Sequence, residues 1–177
     1  MAELLKFTEG QPDVNPHPLP IGLSPEALAL DAAAIWSRIE GWTSYRWLSR
    51  SFVAILRGPG EWVAPVEPVT FAECEIWRSD HWELSELRPS PLGLELGCGT
   101  FRITGTAGDN TTPPAEVLEA YRRFAEYLAE SQNASPFLRS LASGDLTLSY
   151  RSERVALSQA LQLSGAADLL RPYRRLK

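Results

Sequence analysis

The chain lacks a long apolar run. None of its hydrophobic segments approaches the roughly 20 residues that a membrane-spanning helix needs, and residues 1–6 lack the apolar stretch and the cleavage site of a secretory signal peptide. We therefore expect a soluble protein that is not exported by that route and that has no membrane partner. Its 177 residues, of which 44% are hydrophobic, are enough to bury one core.

Cysteine is scarce. The chain has Cys74 and Cys98, and nothing in the sequence indicates an oxidising compartment, so reduced thiols are expected. Cys98 with His81 would supply a nucleophile and a base. A zinc site built from both cysteines and His81 would still need a fourth ligand, from the distant His17 or from an acid. Neither set lies in a recognisable local signature, so we predict no catalytic residue, no metal and no cofactor.

A glycine-rich phosphate loop is also missing, because residues 105–108 lack the Gly-x-Gly-x-x-Gly and Walker spacings. Paired carboxylates, which glycoside hydrolysis requires, are available from four glutamates: Glu73, Glu75, Glu83 and Glu86. Strand alternation would put Glu73 and Glu75 on one face, yet solvated strand faces commonly carry such pairs. A small hydrolase therefore remains an alternative without a site signature.

Tryptophan, in contrast, is plentiful, with six in the chain. Trp62, Trp77 and Trp82 fall in a β-rich part of the sequence, where exposed indole rings would stack on the flat apolar faces of sugars. Such residues more often fill the core of a small sheet or an interface. A β-rich module that binds carbohydrate through these rings is kept as the alternative function.

Positive charge is limited and unevenly placed. The net charge is −5, which argues against nucleic acid as a broad partner. Residues 166–177 nevertheless carry +3, which leaves −8 for the other 165 residues. A terminus of opposite sign to its body is suited to contact another acidic surface. A frayed, solubilising tail is the alternative, but the paired leucines and the tyrosine of this segment favour docking.

Proline and hydrophobic periodicity organise the first part of the chain. Prolines between residues 12 and 25 remove amide donors and favour extended backbone, so residues 1–23 are predicted to form an extended N-terminal arm outside the core. The sequence Ser24-Pro25-Glu26 is typical of a helix start. Apolar residues at helical spacing then predict a helix over residues 25–40.

The middle third changes to short β-like runs separated by glycine and proline, which predict a small antiparallel sheet over residues 51–104. Further helices are predicted over residues 113–130 and 152–164. The predicted fold class is therefore α+β, with a helical core and an inserted sheet. We expect one domain over residues 24–165, followed by a C-terminal tail over residues 166–177.

Three stretches of the sequence have a characteristic arrangement: Phe101 to Gly108, Pro113 to Phe124, and Leu169 to Arg175. They resemble the head–tail connector (head completion) family of long-tailed bacteriophages and gene transfer agents. In that family a strand ending in glycine precedes a proline-started helix, and the chain closes with a leucine pair and a Pro-Tyr-Arg-type tail. The order of helix, aromatic turn, β insertion and second helix is similar as well.

This resemblance implies a non-enzymatic adaptor that forms a twelve-fold ring of identical copies under the portal. The ring would join the DNA-filled head to a tail-side connector or tail terminator protein, and DNA would pass through its channel without sequence-specific binding. The expected location is the head–tail interface of the virion, with the host cytoplasm before assembly. Family members bind the portal with their C-terminal segment, which corresponds here to Leu169, Leu170, Arg171, Pro172, Tyr173, Arg174 and Arg175.

The same tail has a predicted shape. Pro172 interrupts any helix that begins at Ala166, so we expect a single helical turn followed by an extended end. We also expect the tail to be flexible alone and ordered in the assembly. No apolar stripe of the core involves it, which predicts that it can be removed without unfolding the protein.

Overall fold

Helices and antiparallel strands both form in this computed structural model, so the α+β fold class is confirmed. The structure describes residues 1–12, 17–133, 141–143, 146–148 and 157–175. Within these ranges, no helix combines the length and the apolar character needed to cross a membrane.

The contacts within the chain divide it into two compact units. The sheet unit comprises Met1–His17, Ser44–Thr112 and Arg175–Lys177, and the helical unit comprises Pro18–Thr43 and Pro113–Arg174. The sheet predicted over residues 51–104 falls within the sheet unit, whose borders at Ser44 and Thr112 lie several residues further out. The prediction of one domain over residues 24–165 stays a prediction.

The sheet unit contains a five-stranded sheet and a separate two-stranded one. The seven strands are β1 (Glu3–Glu9), β2 (Arg50–Arg57), β3 (Gly60–Trp62), β4 (Val69–Arg78), β5 (His81–Ser85), β6 (Leu94–Leu96) and β7 (Thr100–Ala107). The larger sheet has the order β1-β2-β7-β4-β5, and β3 pairs with β6. All of these pairings are antiparallel, as predicted for this part of the sequence.

The prediction of an N-terminal arm outside the core is wrong for Glu3–Glu9. This segment pairs with β2 as an edge strand of the sheet, and the ring of Phe7 stacks on Phe52 with centroids 5.5 Å apart. The prolines begin at Pro12, so every amide of the strand is available for pairing. The Glu9 carboxylate also accepts hydrogen bonds from the Arg46 guanidinium at 2.6 and 2.7 Å, which holds the end of the strand in place.

One face of the larger sheet forms the core of this unit. Side chains alternate along β2 and β7, so that Phe52, Leu56, Phe101 and Ile103 are buried while their neighbours lie on the other face. Residues of the two-stranded sheet join the same cluster, which includes Trp62, Leu94 and Leu96. The alternating pattern explains why these short runs form strands.

The helical unit contains five α-helices and one short hairpin in the part that the structure describes. The helices are α1 (Pro25–Leu28), α2 (Ala32–Thr43), α3 (Ala115–Asn133), α4 (Leu157–Leu163) and α5 (Ala166–Leu170), and the hairpin joins β8 (Leu141–Ser143) to β9 (Leu146–Leu148). The predicted helix over residues 113–130 corresponds to α3. The one over residues 152–164 corresponds to α4, with residues 152–156 outside the described residues.

The single helix predicted over residues 25–40 is wrong, because the structure has two helices there. Ser24 caps α1 by accepting a hydrogen bond from the Ala27 amide at 3.1 Å. The Asp31 carboxylate accepts one from the Ala33 amide at 2.9 Å, in the first turn of α2. An aspartate that accepts from an amide two residues ahead favours a helix start, so it interrupts the apolar pattern.

The α3 helix is the centre of the helical unit. Its apolar stripe buries Val117, Tyr121 and Phe124, and Tyr121 contacts Trp36 of α2 with ring centroids 5.1 Å apart. On its other side the Glu126 carboxylate accepts hydrogen bonds from the Ser24 amide and hydroxyl, both at 2.7 Å. These bonds lower the pKa of Glu126.

The close packing around Gly105, in the middle of β7, allows a first test of the sheet structure. A Cβ atom there would lie 2.3 Å from the Thr70 carbonyl oxygen and 2.9 Å from the Phe52 ring. We expect Gly105→Ala to lower the free energy of unfolding by about 1 to 3 kcal/mol, because backbone and ring must move apart. Urea denaturation measures the change.

Gly41 supplies the matched control. It lies in α2, and a Cβ atom added there would meet nothing within 4 Å. Gly41→Ala should therefore raise the free energy of unfolding by about 0.5 to 1 kcal/mol through helix propensity. Equal effects of the two substitutions would contradict the packing described for β7.

Candidate functional site

The tail has the predicted shape. The α5 helix is a little over one turn long, a 3-10 turn follows over Arg171–Tyr173, and Arg174 is extended with φ −80° and ψ 121°. Gly165 precedes α5 in the left-handed region, with φ 72°. This conformation is easily adopted by glycine and separates α5 from α4. Pro172 has no amide to donate, which fits its place just after the α-helix.

The tail is not separate from the core, and the expectation that no core packing depends on it is wrong. Ala166 and Leu170 are both fully buried, at 0% exposure. The α5 helix contacts α3 and α4, so these side chains lie inside the helical unit. Leu170 is therefore not exposed for a partner, whereas its neighbour Leu169 is half-buried.

Two further tail residues contact the helical unit. The Tyr173 hydroxyl donates to the Glu116 carboxylate at 3.2 Å, and desolvation together with this bond raises the pKa of Tyr173. The Arg174 guanidinium lies over the ring of Trp42, 4.6 Å from its centroid. Trp42 lies in the last turn of α2, and Glu116 lies in the first turn of α3. Neither residue carries a local signal in the sequence that identifies it as a contact of the tail.

The remaining tail residues differ in exposure. Arg175, which belongs to the sheet unit, pairs with Glu67 at 3.1 Å and also donates to the Ala64 carbonyl oxygen. Arg171 and Pro172 are exposed. Arg174 is exposed too, so Arg171 and Pro172 differ from it in having no side-chain contact with their own chain among the described residues; the half-buried Leu169 lies next to them.

The cysteine and histidine candidates do not belong to a metal-binding cluster among the described residues. Cys74 is buried in β4, where burial raises the pKa of its thiol, and Cys98 is exposed; neither forms a disulfide. His81 contacts the Ser79 carbonyl oxygen through Nδ1 at 3.0 Å and Glu83 through Nε2 at 3.2 Å. Among the described residues, no three His, Cys, Asp or Glu side chains are grouped to hold a metal.

Three of the four glutamate candidates are engaged in ion pairs, and the fourth, Glu73, is exposed in β4. Glu75 accepts two hydrogen bonds from Arg102 on the neighbouring strand, at 2.5 and 2.7 Å, and these bonds lower the pKa of Glu75. A general acid needs a raised pKa instead. Two others pair as well, Glu83 with His81 at 3.2 Å and Glu86 with Arg88 at 3.6 Å. The carboxylates therefore have the arrangement of a solvated strand face.

The tryptophan candidates do not form a flat platform. Trp62 is buried in the core at 3% exposure. Trp77 and Trp82 meet edge to face, with an interplanar angle of 66° and centroids 5.0 Å apart, and the Arg102 guanidinium lies 4.7 Å above the Trp82 ring. A sugar ring stacks on coplanar, open indole faces. The carbohydrate-binding alternative is therefore not supported.

The burial of Leu170 predicts the effect of truncating it. Leu170→Ala should lower the free energy of unfolding by about 2 to 5 kcal/mol, the usual cost of such a change at a buried leucine. Leu163→Ala is the control, because Leu163 is 58% exposed and its replacement should change stability by less than about 0.5 kcal/mol. Denaturant unfolding measures both, and a Leu170→Ala protein as stable as the wild type would refute the packing described for α5.

His17, the candidate fourth zinc ligand, predicts a pH dependence. Burial and the nearby Arg50 lower its pKa from 6.5 to about 4. As the pH falls below 6.5, the unfolded chain takes up this proton and the folded chain does not. We expect stability to fall between pH 6.5 and 4 by up to about 3 kcal/mol from this residue. Unfolding of a His17→Gln variant should show a smaller loss over that interval, and an unchanged slope would refute the assignment.

Comparison with known proteins identifies similar folds. No protein-family model matches the chain, and no curated protein matches its sequence. A chain in the neck of a native gene transfer agent particle, computed with C12 symmetry, is 20% identical with a TM-score of 0.48, over 86% of this chain and 87% of that one. A chain in the neck of an empty gene transfer agent particle, computed with C6 symmetry, is 18% identical with a TM-score of 0.51, over 98% of this chain and 97% of that one. The second comparison shows that the two chains share a fold along almost their whole length.

Proposed function

We propose that this protein is a head–tail adaptor, a structural component of a phage-like particle that joins the head to the tail. The observation that carries the proposal is the shared fold with a neck component over 98% of the chain. A fold alone does not specify a function. The proposal therefore also rests on the stretches of sequence that resemble the connector family.

Each of those stretches falls on a defined structural element, and the elements follow one another in the order of the chain. Phe101 to Gly108 is β7 with the residue after it, Pro113 to Phe124 leads into and begins α3, and Leu169 to Arg175 ends α5 and continues the tail. The resemblance thus corresponds to a strand, a helix and a C-terminal segment in the order that the family has. This agreement supports an adaptor and not an unrelated α+β domain.

A ring of identical copies follows from the same proposal. The neck that contains the similar fold was computed with C6 symmetry, and head-to-tail contacts between copies close into a ring when the rotation is suitable. Rings of six and of twelve copies are both compatible with sixfold symmetry, and the resemblance favours twelve. DNA would pass through the ring without sequence-specific binding, since the chain outside the tail carries a charge of −8.

The proposed adaptor has no catalytic task. Three of its four candidate carboxylates, Glu75, Glu83 and Glu86, are used in ion pairs. The portal is the proposed partner of the tail, with a tail-side connector or terminator protein on the other side of the ring. The proposed location is the virion, with the host cytoplasm before assembly.

Contacts within the chain reduce the set of tail residues that we propose for portal binding. Leu170 is buried, and Tyr173, Arg174 and Arg175 contact their own chain. The proposed docking patch therefore consists of Arg171 and Pro172, together with the half-buried Leu169. We use the name docking patch for these three residues.

The test is binding to purified portal or to DNA-filled, tailless heads. We expect a variant with Arg171→Glu and Pro172→Ala to bind at least about tenfold more weakly. The reversed charge would repel the acidic partner surface that the cationic tail is suited to contact. Arg78→Glu is the control, because Arg78 is an exposed arginine in the sheet unit. A wild-type protein that binds neither target would refute the adaptor, and equal binding by both variants would refute the docking patch.

A further inference from the structure

The docking patch is attached to a folded segment of the helical unit. Ala166 and Leu170 are both at 0% exposure, so α5 has a buried side. The Arg174 amide donates to the Arg171 carbonyl oxygen at 3.2 Å, which closes the 3-10 turn around Pro172. The backbone on both sides of Arg171 and Pro172 is therefore held.

Trp42 contacts the residue that follows this turn, Arg174. The Arg174 guanidinium lies over its indole ring, 4.6 Å from the centroid, within the range of a cation–π contact. The indole N–H of Trp42 is buried and finds no acceptor among the described residues. Its observed contact with the tail is thus made by the face of the ring.

Glu116 holds the turn from α3. Its carboxylate accepts the hydrogen bond from the Tyr173 hydroxyl at 3.2 Å. Glu116 lies in the first turn of that helix, where the helix dipole favours a negative charge. The acceptor is therefore fixed on a rigid element.

Of the three tail arginines that the structure describes, Arg174 and Arg175 each place the guanidinium against another side chain, although Arg174 is exposed like Arg171. Arg174 lies on Trp42 and Arg175 pairs with Glu67. In the ranges that the structure describes, no side chain pairs with Arg171, which is exposed. An acidic group on the partner, facing Arg171 beside the apolar ring of Pro172, fits this surface.

We propose that Trp42 and Glu116 are positioning residues, which keep the tail folded in the free protein and present Arg171 and Pro172 in a fixed arrangement. This inference rests on the proposed adaptor function. A segment that is already folded loses less conformational entropy when it binds, so residues that never touch the portal would strengthen docking. The tail would then be ordered before assembly and not because of it.

The experiment measures amide hydrogen exchange at Arg174 together with portal binding. Glu116→Gln and Trp42→Leu should each speed exchange at Arg174 and weaken portal binding by about three- to tenfold, through lost order in the tail. Glu119→Gln is the matched control, because Glu119 lies one turn further along α3 and pairs with Arg122 and Arg123 at 2.8 and 2.9 Å. It should leave exchange at Arg174 and portal binding unchanged.

The other outcomes separate this proposal from the adaptor function. Fast exchange at Arg174 in the wild type would overturn the folded tail, even if the portal binds. Faster exchange at Arg174 in Glu116→Gln, combined with equal or tighter portal binding, would overturn the positioning role. The contacts of Trp42 and Glu116 would then be neutral or would oppose docking. Arg171→Glu should lose binding with exchange unchanged. A wild type that shows slow exchange but no portal binding would contradict the adaptor and leave the tail folded as described.

Discussion

The burial of Leu170 is the interaction on which the C-terminal part of the structure depends. The α5 helix has five residues, which is too short for a helix to be stable without tertiary contacts. With Ala166 it places two fully buried side chains inside the helical unit, and this burial fixes the direction in which the chain leaves the helix. Tyr173 and Arg174 follow within four residues, so their contacts with the unit depend on the same packing.

The charge of the tail is largely used within the chain. Residues 166–177 carry +3, but Arg174 lies on an indole ring and Arg175 pairs with Glu67. Ion pairs at the surface contribute little to stability, yet they decide which charges are available to a partner. The acidic side chains behave in the same way, as the pair of Glu75 and Arg102 illustrates. The proposed docking patch therefore depends on Arg171, whose guanidinium has no partner among the described residues, and not on the net charge.

Local signals in the sequence predicted those parts of the fold that local physics determines. Ser24 caps a helix and Pro172 ends one, and both effects act over a few residues. Most of the errors concern packing between distant segments. Phe7 belongs to a strand because it pairs with β2, which lies more than 40 residues away in the sequence. The division of the helix at Asp31 differs, because it comes from a local hydrogen bond with the Ala33 amide that the continuous apolar pattern does not reveal. Leu170 and its neighbouring leucine are indistinguishable in sequence, and tertiary contacts alone decide which is buried.

A small docking patch is sufficient if the adaptor acts as a ring. A single copy offers Arg171, Pro172 and the half-buried Leu169, which is too little surface for a tight complex by itself. In a ring every copy presents the same patch to a partner of matching symmetry, and the later contacts form within one complex, so weak contacts combine into strong binding. This gain requires that all copies present the patch in the same geometry. A tail held by buried side chains meets that requirement, whereas a flexible tail would lose much of the gain to conformational entropy.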